Sequence, residues 1–135
     1  MKAHLSPDPR TLLLWNYTPD APDFPLVAHA ARDHRLKIRH LTPADLGTTV
    51  ADLCAGKPGK PAPLGLAVPL PATPALIVSG LGLNGSELNT FLDQLERNGV
   101  RFPVRAAVTP TSRNWTLHAL LGELSAEHQA LGGAQ

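Results

Sequence analysis

Residues 11–17, TLLLWNY, open a strand-helix-strand-helix order that starts again at 75–80, ALIVSG. The first stretch is followed by a helix near DFPLVAHAARDH, a strand LKIRHL and a helix through TTVADLC. The second is followed by a helix over SELNTFLDQLERNG, a strand FPVRAAV and a helix through TLHALLGELSAEHQ. Thr42-Pro43 and Thr109-Pro110 fall at the same step of each half, where a strand hands over to a helix. The chain therefore reads as two βαβα halves, 11–55 and 75–131, behind a loose arm at 1–10. A connector at 56–74 joins them, with six prolines and three glycines. A surface strap held by Leu64, Leu66 and Val68 is the expectation for it.

Strand composition sets the order. Leu12-Leu13-Leu14-Trp15 and Leu76-Ile77-Val78 are continuously apolar, as strands covered on both faces must be. Leu36-Lys37-Ile38-Arg39-His40-Leu41 alternates, and Phe102-Pro103-Val104-Arg105 contains a proline that cannot donate to a ladder. Basic side chains and proline protect sheet rims, so these two belong at the edges. The expected fold is α/β, with duplicated halves in one four-stranded parallel sheet of order 2-1-3-4 and helices on both faces. Right-handed crossovers predict the first and last helices on one face and the middle two on the other.

Local signals support the helices. Leu88, Phe91, Leu92 and Leu95 form one stripe, with Asn84 and Glu87 as a capping pair and Gly99 as a stop. Leu117, Leu120, Leu121, Leu124 and Leu131 do the same for the last helix. Thr42-Pro43-Ala44-Asp45 sets a capping hydroxyl, a first-turn proline and a third-position acid in order.

Composition narrows the function. The 135 residues fit one domain, 1–135, with an ordinary apolar share of 43%. Twelve basic and eleven acidic residues are interspersed, which argues against nucleic acid as a partner. Apolar runs are strand-sized, so no membrane association is expected. A single cysteine and an N-terminus without an apolar core suit a reducing cytoplasm.

Two segments offer chemistry. Gly80-Leu81-Gly82-Leu83-Asn84-Gly85 is a GxGxxG between strand and helix, where Gly80, Gly82 and Gly85 would let a phosphate approach backbone. No acid for a ribose follows at the end of the fourth strand, where Ala107, Val108 and Thr109 stand. Thr109-Pro110-Thr111-Ser112-Arg113-Asn114-Trp115 gathers hydroxyls, a guanidinium and an amide beside a helix start. In it Thr109, Thr111, Ser112, Arg113 and Asn114 suit an anion, whereas Arg113 and Trp115 suit a protein contact. Asp20 and Asp23 would face the same crevice as the glycines. The six histidines lack helical metal-pair spacing and read as solvated. Cys54 reads as a buried apolar group, and no base is placed near it. No metal or cofactor is expected.

The stretches Leu41–Gly47, Ala75–Gly80, Glu87-Leu88-Asn89, Arg105–Thr116 and Glu123–His128 together resemble a family of small bacterial proteins catalogued only as a domain of unknown function. Thr109–Trp115 is the specific part. The resemblance implies no activity, cofactor or catalytic residue, but it adds weight to that loop. The expected function is a non-catalytic module for protein interaction or self-association, with another protein or a second copy as partner. The alternative is a small regulator binding an anionic metabolite or nucleotide at Gly80–Ser86 and Thr109–Trp115. Catalysis has no defensible nucleophile or base in this reading.

Overall fold

The computed structural model describes residues 9–65, 70–82 and 86–132. Strand β1 (Thr11–Trp15) leads to helix α1 (Phe24–Asp33), strand β2 (Lys37–His40), a 3-10 turn at Pro43–Asp45 and the short helix α2 (Val50–Cys54). After the connector come β3 (Ala75–Ser79), α3 (Ser86–Arg97), β4 (Val104–Ala107), a 3-10 turn at Ser112–Asn114 and α4 (Leu117–Gly132). The strands form one four-stranded sheet in the expected order, β2-β1-β3-β4. Every residue of β1 and β3 is buried. The two halves share an order of elements, from which a duplication does not follow.

The sheet is mixed, which corrects the parallel expectation. β1 runs parallel to β2, and β3 to β4, but β1 and β3 are antiparallel, with Leu13 opposite Ile77. The connector is the cause. Helix α2 ends beside the first residue of β1, where Thr11 Oγ1 donates to Cys54 O at 3.1 Å. The chain then makes a second traverse. Gly47 N donates to Lys60 O at 2.8 Å, and Asn16 Nδ2 donates to Pro71 O at 2.7 Å. By Pro71 the backbone stands at the far end of β1, so β3 departs in the opposite direction. The crossover rule governs a strand-helix-strand path, and this extra pass takes the β2-to-β3 link outside it. Leu64 is wholly exposed and does not hold the connector down. Leu66 and Val68 lie outside the described residues, as does the Asn84 cap.

The reversal also corrects the helix faces. Leu12, Leu14, Leu76 and Val78 pack with Val27 and Ala30 of α1 and with Phe91 and Leu95 of α3. Leu13, Trp15, Ala75 and Ile77 pack with Val50 and Leu53 of α2 and with Leu117 and Leu121 of α4. Turning the second half about an axis normal to the sheet leaves its helices on the same faces as those of the first.

Near that axis the halves clasp each other. Val50 N donates to Trp115 O at 2.9 Å, Leu117 N donates to Thr48 O at 2.8 Å, and Thr49 bridges Thr116. The threonine-proline turns also match. Asp45 Oδ2 accepts from Thr42 N at 3.0 Å, and Ser112 Oγ accepts from Thr109 N at 2.9 Å. Each satisfies a strand-end N–H that neither strand nor helix would otherwise pair.

Candidate functional site

Parallel pairing brings the ends of β3 and β4 to the same end of the sheet, so Gly80 and the Thr109–Trp115 loop do meet there. The backbone of Gly80 has φ +95°, and a Cβ would lie 2.8 Å from Pro9 O and Arg10 Cα. This glycine admits the chain entering β1, which explains it without a phosphate. Gly82 has φ +81° and open space around it. Gly85 lies outside the described residues. Asp20 and Asp23 sit after β1, at the opposite end of the sheet, so the crevice expected between them and the glycines does not exist. Asp23 accepts from Tyr17 Oη at 2.6 Å, and Asp20 accepts from Thr18.

Within the loop, Thr109 and Ser112 spend their hydroxyls on each other and on the turn. Ser112 N donates to Thr109 Oγ1 at 2.9 Å, and the two hydroxyls lie 3.1 Å apart. Thr111, Arg113 and Asn114 are exposed. Arg113 lines a cavity of about 10 Å³ with Pro9, Ala51, Cys54, Ser79 and Val108. That volume suits one water molecule. Trp115 leaves 36% of its surface exposed.

A charged cluster escaped the sequence reading. Arg10 forks onto Glu87 at 2.9 and 3.0 Å and donates to His34 O at 2.8 Å. His34 is only 8% exposed, against the expectation of a solvated ring. Its Nδ1 lies 3.1 Å from Glu87 Oε2, its Nε2 3.3 Å from Gln94 Oε1. The cluster ties the start of β1 to α1 and α3, which lie far apart in sequence. No local pattern announces it; only the reversed direction of β3 brings α3 beside α1.

The Arg10 hydrogen bonds, then that of His34, hold the Glu87 carboxyl down from its ordinary 4.5 to about 2, against a smaller opposing effect of desolvation. The folded pKa lies below the unfolded one, so the contribution is complete above pH 4.5 and disappears as pH falls towards 2. Wild type should lose urea midpoint across that window, and Glu87→Gln should lose less. Equal losses in the two proteins would show that the cluster does not contribute to acid stability.

The β4 rim is the second feature that the sequence did not show. Val108 N donates to Val78 O at 2.9 Å. Peptide groups alternate along a strand, so those of Val104 and Ala106 face β3, and those of Arg105 and Ala107 point outward. Pro103 precedes the ladder and shields neither. Beside this rim runs a groove of about 220 Å³ lined by Leu76, Val78, Leu88, Leu92 and residues 105–107. Arg105 is drawn aside onto Glu96 at 3.1 Å. On the other edge, β2 carries Lys37 and Arg39.

Residues 75–131, which span β3 to α4, match the model of a family described as a domain of unknown function (DUF3783). The resemblance to a domain of unknown function therefore holds over 75–131, the span that contains the Thr109–Trp115 loop and the β4 rim, and the Leu41–Gly47 stretch lies outside the match. No curated protein and no solved structure matches the chain. Among the described residues, no helix is long and apolar enough to cross a membrane.

Proposed function

We propose that the protein is a non-catalytic interaction module that works through the β4 rim and the groove beside it. One observation carries this reading: outward peptide groups at Arg105 and Ala107 flank an apolar groove of about 220 Å³. A strand laid on that rim gains main-chain hydrogen bonds, and a side chain in the groove supplies selectivity. Arg113 and Trp115 offer a second contact on the same half. Anion binding at Gly80 and Thr109–Trp115 ranks lower. Its support is that Gly80 and Arg113 share one end of the sheet, but the hydroxyls of Thr109 and Ser112 are already engaged and the cavity there is water-sized.

The test compares native sizes of the full chain in an extract of the producing cell. Wild type should run in an assembly larger than the monomer. Ala107→Pro, which removes an outward N–H, and Leu92→Glu, which puts charge in the groove, should both run smaller. A wild-type chain that runs as a monomer, or an assembly unchanged by both substitutions, would defeat the proposal.

A further inference from the structure

Resting on that reading, we infer that the occupant of the β4 rim is a second copy of this chain, joined by an antiparallel β4–β4 pair centred on Ala106. Only a few two-fold registers set outward groups opposite one another. Centring on Arg105 puts like charges face to face and calls on Pro103, which has no N–H. Centring on Ala107 calls on Thr109, whose N–H already donates to Ser112 Oγ at 2.9 Å. Centring on Ala106 sets Arg105 opposite Ala107 of the other copy, and every outward N–H meets an outward C=O. Charge and hydrogen bonding select the same register.

The layer above the sheet fits that arrangement. Helix α3 connects β3 to β4 and covers them. With strands about 4.8 Å apart across the new seam, α3 and its copy would run about 10 Å apart, the spacing of packed helices. Leu88 and Leu92, half-buried along the groove, would then close against their counterparts. The outer surface of α3 and the loop after it carry Asp93, Glu96, Arg97 and Arg101, both signs together. Two copies meet there without a large like-charge penalty. The β2 rim keeps the exposed Lys37 as its guarding charge, while Arg39 is turned onto Asp45 and the carbonyls of Leu53 and Lys57.

The test uses the purified full chain. Sedimentation over a micromolar-to-millimolar series should show conversion from 14.3 kDa to twice that mass. Ala107→Pro should raise the midpoint by about tenfold or more, the loss of at least one hydrogen bond's worth of affinity. Independently, Ala106→Cys should oxidise to a covalent dimer. Residues facing each other in a non-hydrogen-bonded pair have Cα atoms about 4.5 Å apart, within disulfide range. Lys37→Cys on β2 should stay monomeric, and Cys54 is buried. A purified chain that stays monomeric throughout, or Lys37→Cys cross-linking as readily as Ala106→Cys, overturns self-pairing. If that purified monomer still enters a larger assembly in extract that Ala107→Pro abolishes, self-pairing fails and the interaction reading stands. If no assembly appears in extract either, both fail.

Discussion

Phe91→Ala is expected to lower the free energy of unfolding by about 3–5 kcal/mol, the usual cost of deleting a buried aromatic ring. Phe91 is the largest of the fully buried side chains. It belongs to the cluster that joins α1, α3 and alternate residues of both central strands. Its ring meets the His34 ring edge-on at 5.4 Å and 77°. Truncation would open a hole beneath the Arg10–Glu87–His34 cluster, so packing and polar contacts suffer together. Leu88→Ala, half-buried on the same helix, should cost clearly less. Urea titration of both variants decides it. A Phe91→Ala loss no larger than that of Leu88→Ala would mean that α3 is not packed as described.

Asp45→Ala should cost about 2–4 kcal/mol, because it strips partners from two groups at once. Asp45 accepts from Thr42 N at 3.0 Å and from Arg39 Nη2 at 3.1 Å. Arg39 also reaches Leu53 O at 3.2 Å and Lys57 O at 2.7 Å, so it ties β2 to α2 and to the connector. Gly59 presses on the carboxylate so closely that a Cβ there would overlap Oδ1. The second half supplies the control, since Ser112 does the same capping with a hydroxyl. Asp45→Ser keeps an acceptor for Thr42 N and loses only the ion pair, so it should cost about half as much. If chemical denaturation finds the two substitutions equally damaging, the cap contributes nothing and the Arg39 pair accounts for the whole effect.

Strand order was legible because burial on both faces leaves a compositional mark. Leu12–Trp15 and Leu76–Val78 contain nothing that tolerates a rim, and Lys37, Arg39 and Arg105 nothing that prefers the centre. Strand direction leaves no such mark. A buried strand read either way has the same apolar faces, and the deciding fact was where Pro71 meets Asn16. The helix faces and the crevice followed from direction and were misplaced with it. In the Thr109–Trp115 loop the residue types were legible, but their partners were not. Hydroxyls that suit an anion equally suit a turn, and Thr109 with Ser112 serves the turn. The β4 rim hid because alanines at 106 and 107 carry no signature of exposure.

The antiparallel seam between β1 and β3 has a consequence for biosynthesis. Once β2 has left the ribosome and before β3 follows, β1 has only β2 beside it, and its other flank stands open with leucines above and below. That flank stays sticky until Ala75–Ser79 clear the exit tunnel. The nascent chain thus passes through an interval in which neighbouring polysomal copies could zip together through Leu12–Leu14. The stretch from 41 to 74, lengthened by its proline-rich connector, sets how long that interval lasts.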